Sequence, residues 1–271
     1  MKKRSINIVV IVGLVLSFGG LGYGFHLEGG EISALFGVSA ILIIFGGTLG
    51  STVVMMSEED VKSLPKTLKK VFVSEEYDYQ GVIEKLTEWT TITRREGTVE
   101  LESASNEEED PFIQKGIGYI LEGNEYEAIE TLMNIELEAM MDRHEQGARP
   151  YEQAGGIAPT MGIIGAVMGL VVVLAGLGQS GVEELGKGIS VAFLATLMGI
   201  GFANLVCLPF AENLKRKSEQ EVLYKTIVIE GILGIHTGTS AMLLRRKLEA
   251  YLPEEKVTEE EPEPKADESG E

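Results

Sequence analysis

Apolar and polar positions segregate along this chain instead of alternating. Four runs, residues 6–25, 32–56, 154–182 and 188–211, contain no Asp, Glu, Lys or Arg. Each reaches the roughly 20 apolar residues needed to cross a hydrocarbon core about 30 Å thick. The pattern therefore predicts four membrane-spanning helices, since a backbone in lipid must satisfy its own hydrogen bonds. A signal peptide also begins with basic residues and an apolar run. Here the run is too long, no small-residue cleavage site of the usual form follows it, and the next run begins at residue 32.

Between the second and third runs, residues 57–153 carry charge throughout and read as a helical domain. Ser57 followed by Glu58, Glu59 and Asp60 is an N-cap with acids in the first turn, where the helix dipole favours them. Val61, Leu64, Leu68, Val71 and Phe72 continue it at helical spacing, with Pro65 as a candidate kink. A second helix is predicted over 79–95, with Val82, Ile83, Leu86 and Trp89 on one face, ending near Gly97. A break follows, and the acids at 107–110 before Pro111 start a helix through Leu121. Gly123 and Asn124 turn the chain into a further helix over 126–146. No strand signal is present. A helical pattern over 212–252, interrupted by Gly231, Gly234 and Gly238, extends the fourth span as one long helix. The expected organisation is thus 1–56 (tip and two spans), 57–153 (helical domain), 154–211 (two spans), 212–252 (helical extension) and 253–271 (tail).

Charge supplies an orientation. Lys2, Lys3 and Arg4 precede the first span and Lys215, Arg216 and Lys217 follow the fourth, so the positive-inside rule places both termini in the cytoplasm of a multi-pass inner-membrane protein. Of the 23 Lys and Arg residues, Lys187 alone falls outside the cytoplasmic segments. The net charge of −19 excludes a nucleic-acid partner, which needs a basic surface. Part of that charge is the acidic, Pro-containing tail, whose composition predicts disorder. Cys207 is the single cysteine, so no disulfide forms within the chain. The 33 glycines, many inside the spans and including the Gly46/Gly50 and Gly165/Gly169 pairs, predict close helix packing.

The spans contain no ionisable side chain except the Cys207 thiol and the Tyr23 phenol. A proton relay requires a group that binds and releases the ion at membrane depth, so any such carboxylate must come from another polypeptide. Thr160, Thr196 and Asn204 are polar groups within the runs, and Pro159 and Pro209 each free a backbone carbonyl. Hydroxyls in spans commonly bond back to their own helix, and prolines commonly only kink one. His144 and Glu145 lack the second His of a zinc helix, and no P-loop is present, so neither an enzyme nor a resident cofactor is expected.

The run Ala158-Pro159-Thr160-Met161-Gly162-Ile163 opening the third span resembles the MotA family, the larger subunit of the flagellar motor stator. In the fourth span Ala195-Thr196-Leu197-Met198-Gly199-Ile200, followed by Leu208-Pro209, is similar to the same family, and the resemblance extends to about Leu252. It implies that Pro159 couples ion passage to movement, that Thr196 faces the ion path and that Pro209 lies at its cytoplasmic end. In the insert, Arg94 and Glu102 match the family's rotor-facing basic and acidic residues, with Arg95 a second charge. The implied assembly is a pentamer in the lipid bilayer around a MotB-type subunit that brings the essential Asp. The implied rotor partner is FliG. Ala166 stands where sodium-driven relatives tend to carry a Thr, which favours protons over Na⁺ as the transported ion.

Competing readings are an ExbB or TolQ type energiser, which usually has three spans, a sodium-driven stator, a channel or transporter acting alone, and a structural scaffold. The missing titrating group disfavours the lone channel, and a scaffold leaves Arg94, Glu102 and Pro159 without a role.

Overall fold

The computed structural model describes residues 3–176 and 181–253. The acidic tail and the Lys187 side chain, both used in the sequence reading, lie outside the described residues. In chain order the elements are β1 (Lys3–Ile6), α1 (Ile8–Leu27), a 3-10 turn (Ile32–Leu35), α2 (Val38–Ile41) and α3 (Gly47–Val54) joined by a π-turn (Leu42–Gly46), α4 (Glu58–Val71), β2 (Val73–Glu76), α5 (Tyr79–Glu96), α6 (Thr98–Glu107), α7 (Pro111–Leu121), α8 (Tyr126–Ala175), α9 (Val182–Phe202), a second π-turn (Ala203–Cys207), α10 (Leu208–His236) and α11 (Ala241–Glu249). The chain divides into two compact units, residues 78–137 with 222–253 and residues 3–77 with 138–221.

Four departures from the sequence reading have physical causes. Among the described residues, helices long and apolar enough to cross a bilayer come from three of the four runs: Ile8–Leu27, part of Tyr126–Ala175, and Gly188–His236. The second run gives the shorter Val38–Val54, because its first residues form the 3-10 turn and Gly37 is extended. At 1.5 Å per residue that helix is about 25 Å long. A short antiparallel sheet also exists, pairing Lys3 with Glu76 through Ile6 with Val73. Strands of four residues are too brief to show an alternating pattern. The break expected after Gly97 is instead a second helix. Gly97 has φ +88°, which reverses the chain at little steric expense, and Leu101, 1% exposed, anchors α6. Finally, α8 does not stop near residue 146 but runs through Pro150 and Pro159. Ala148, Ala154 and Ala158 on that stretch are buried, so packing holds the helix together where the prolines remove donors.

Helix starts follow the sequence closely. Ser57 accepts from the Asp60 N–H at 3.2 Å while an Asp60 carboxyl oxygen accepts from the Ser57 N–H at 3.0 Å, a reciprocal cap. Asp110 caps α7 with Pro111 in its first turn, where a missing donor is harmless.

In the unit formed by 78–137 and 222–253, the core comes from α5 (Ile83, Leu86), α7 (Ile113, Ile117), α8 (Ile129, Met133), α10 (Ile227, Ile232) and α11 (Leu244). Glycines set its crossings: a methyl group on Gly116 would meet Ile232 and Met133, and one on Gly234 would meet Leu244. In the other unit, Val71, Ala148, Phe210 and Leu214 form one cluster with Val10 and Phe72, while Ala40, Ile44 and Ala195 form another.

Candidate functional site

In the apolar part α8 and α9 approach closely, and small residues allow it. A methyl on Gly162 would lie 2.9 Å from the Ala195 carbonyl oxygen and 3.1 Å from Thr196 Cα. On the facing helix, one on Gly199 would lie 2.5 Å from the Ala158 carbonyl oxygen and 3.0 Å from Gly162 Cα. Higher on the same seam, Gly165 faces the Ala195 methyl and Ile43, and Gly169 faces Ala192. The residues at 162, 165 and 169 thus form one small-residue stripe, and larger side chains there would part the backbones.

Two of the expected ion-path residues lie on the two helices of this crossing. Pro159 adjoins Ala158 on α8, and Thr196 sits directly against Gly162 on α9. Lacking an N–H, Pro159 leaves the Gly155 carbonyl without its helical donor. Thr196 is half-buried, and its hydroxyl donates back to the Ala192 carbonyl at 3.5 Å. Ala166 lies two turns along α8 from Pro159, half-buried and next to Gly165. Pro209 is not at the crossing. It is exposed at the start of α10, about 20 Å along the helix axis from Thr196. The π-turn before it is where the ring would otherwise clash with the carbonyl four residues back. No carboxylate lies among these residues, so the seam cannot by itself bind and release a proton.

Two hydroxyls escaped the sequence reading. Thr48 and Thr52 on α3 are 0% and 5% exposed, and Thr52 donates to the Thr48 carbonyl at 2.8 Å. The Thr48 hydroxyl itself is buried with no hydrogen-bond partner among the described residues. The signal available was their four-residue spacing within an apolar run, the same spacing that makes back-bonding hydroxyls unremarkable.

The expected rotor-facing charges lie in the other unit. Arg94 and Arg95 occupy the last turn of α5, where cations complement the C-terminal dipole, and both are exposed. Glu102 is exposed on α6, directly after buried Leu101. Helices α5 and α6 pack on each other, so all three charges belong to one helical hairpin, and none has an ion-pair partner among the described residues. That hairpin is braced by a pair the sequence did not single out. The Lys85 Nζ lies 2.6 Å from Glu108, whose side chain is 5% exposed and also accepts from the Asp110 N–H at 2.9 Å. Burial opposes ionisation of Glu108, but Lys85 and the Asp110 and Glu109 N–H groups outweigh it and hold the carboxyl below its ordinary range.

Comparison with known proteins covers most of the chain. Residues 104–226 match the MotA/TolQ/ExbB proton channel family and residues 11–97 match the Motility protein A N-terminal family. Motility protein A of Bacillus subtilis (strain 168) is 38% identical over 254 residues, spanning 93% of this chain and 92% of that protein. Among solved structures, the flagellar MotAB stator complex from Bacillus subtilis superposes with a TM-score of 0.83 at 38% identity, covering 90% of this chain and 95% of the other. MotAB of C. jejuni superposes with a TM-score of 0.84 at 30% identity, covering 92% and 97%.

Proposed function

Because the chain belongs to the MotA/TolQ/ExbB proton channel family, and within it aligns end to end with Motility protein A, we propose that it is the ring-forming stator subunit of a bacterial flagellar motor. It is an inner-membrane, non-enzymatic protein that takes part in converting ion flow into torque, and its partner is a MotB-type subunit. The observation that carries this reading is the full-length similarity combined with apolar runs devoid of any carboxylate. An ion path with no titrating group of its own needs a second chain to supply one.

Val38–Val54 is the second of four spans, with the preceding 3-10 turn completing the crossing of a core about 30 Å thick. Both termini are cytoplasmic, a reading supported by the basic residues beside the first and fourth spans. Five copies surround the MotB-type partner. Pro159 on α8 and Thr196 on α9 transmit the ion-dependent step, Ala166 lines the path above them, and Pro209 marks its cytoplasmic end. Arg94, Arg95 and Glu102 engage the rotor protein FliG through charge complementarity, which sets register more than affinity. The ion is the proton. Ala166 offers no side-chain oxygen and the Thr196 hydroxyl is turned back on its own helix, which leaves too few ligands for a bare sodium ion. Each proton delivers about 2.3 kcal/mol per 100 mV, so work is delivered in many small steps.

Deleting the gene and scoring filaments by electron microscopy alongside swimming tests the reading. Filaments present with swimming lost is the expected result. Normal swimming in a strain with no second stator locus would overturn it and favour an energiser role.

A further inference from the structure

One cavity of about 560 Å³ lies within the unit formed by 3–77 and 138–221, away from the α8/α9 seam. Its lining departs from the acidic character of the chain. Lys66, Lys69 and Lys70 from α4, Arg143 from α8 and Lys217 from α10 face only two carboxylates, Glu75 and Glu221. Those two acids are engaged already: Glu221 lies 4.0 Å from His144, and Glu75 acts on the Lys217 ammonium. Lys217 is engaged as well, donating to the Lys70 and Val71 carbonyls at 2.6 and 2.8 Å, so it neutralises the negative end of α4. Burial pushes its ammonium below the ordinary lysine range, against the opposing effect of Glu75 and with a smaller contribution from Lys70. In a protein of net charge −19, a half-open pocket with this surplus of cations suits an anion.

Its position says which kind. Ser5 and Ile6 line the cavity, and Ile8 begins α1, the first membrane-spanning helix. Ile6, Val73 and Leu214 give the cavity an apolar side, and Ile6 stands two residues before α1, on which Ile8 and Val9 are 67% and 80% exposed. A soluble phosphate has no use for an apolar side, whereas acyl chains do. We propose that this pocket binds the phosphate headgroup of an anionic phospholipid of the cytoplasmic leaflet, with its acyl chains lying along α1. The proposal rests on the reading above that the apolar helices span the membrane with both termini inside. Basic pockets beside spans on the cytoplasmic side are a general way of holding anionic lipids. Such a lipid would tie α4 and the β1–β2 sheet to the bilayer surface.

The test uses the complex with its MotB-type partner, purified into nanodiscs of phosphatidylcholine and phosphatidylglycerol, with retained lipid counted by native mass spectrometry. Wild type retains phosphatidylglycerol preferentially. Lys69→Gln with Lys70→Gln lowers that enrichment at least about tenfold, given the roughly fivefold per cation expected at a membrane surface. Lys62→Gln with Arg216→Gln, the same charge change away from the cavity, leaves it intact, and Lys69→Arg with Lys70→Arg restores it. Equal loss in both Gln pairs, no loss in either, or displacement of the lipid by inorganic phosphate would each overturn the proposal. Topology is read separately from Glu58→Cys with an impermeant maleimide, protected in intact cells and reactive in inverted vesicles. External labelling would sink the orientation without bearing on the lipid count.

Discussion

At the scale of single residues, the α8/α9 seam depends on atoms that are missing. Gly199 and Gly162 let two backbones touch, and a methyl on Gly199 would collide with a carbonyl oxygen, which has no rotamer with which to move aside. Gly199→Ala is therefore expected to destabilise the chain by roughly 1–3 kcal/mol through overpacking. Gly201→Ala, with nothing within 4 Å, serves as its control on the same helix. Thermal unfolding of the detergent-solubilised complex separates them, and equal midpoints would remove the close crossing from the account. Pro159→Leu restores a backbone donor on α8, three residues before Gly162. Rotation is expected to stop while fluorescently tagged stators still gather at motors. Tagged rings that turn motors at normal speed would show that this proline has no coupling role.

Among the elements, the α5–α6 hairpin relies on Lys85 and Glu108. Removing the cation leaves a buried carboxylate short of a charged partner, so Lys85→Met is expected to destabilise this unit by roughly 1.5–3 kcal/mol, the range for a hydrogen bond to a charged group. Trp89 is the only tryptophan and lies with its ring 5.8 Å from the Lys85 Nζ, so its fluorescence in a denaturant titration reports the loss directly. The carboxyl of Glu108 is held below its ordinary pKa in the folded state. Its contribution is thus present above the unfolded carboxylate value of about 4 and disappears as pH falls through the depressed folded value. The stability difference between wild type and Lys85→Met is expected to shrink over that acid window, and a pH-independent difference would show that the pair contributes nothing through charge.

For the whole molecule, the exposed charges and the apolar seam fall in different compact units. Arg94→Glu is accordingly expected to weaken rotor engagement by roughly fivefold, the ~1 kcal/mol scale of an exposed charge pair, seen as lowered torque in a tethered-bead assay with membrane levels unchanged by immunoblot. Loss of membrane insertion instead would mean that Arg94 supports folding and does not act at the rotor.

Much of this was legible without coordinates. The apolar runs, the Ser57 cap, the Val82, Ile83, Leu86 and Trp89 face, and the turn at Gly97 follow from local chemistry: hydrocarbon length, unsatisfied helix ends and left-handed backbone are properties of a few consecutive residues. What happens at Gly162 and Gly199, by contrast, was visible only as small residues in two separate runs. Their contact joins positions 37 residues apart, and its register is set by three-dimensional packing that no local pattern encodes. The same holds for the continuation of α8 through two prolines, where buried alanines outweigh a local breaking signal, and for the Lys85–Glu108 pair, the β1–β2 sheet and the basic cavity, each assembled from segments distant in sequence. Sequence alone thus marked the apolar stretches and the starts of α4, α5, α7 and α8. The tertiary structure decided which faces meet, because burial and close approach depend on neighbours that the chain acquires only when it folds.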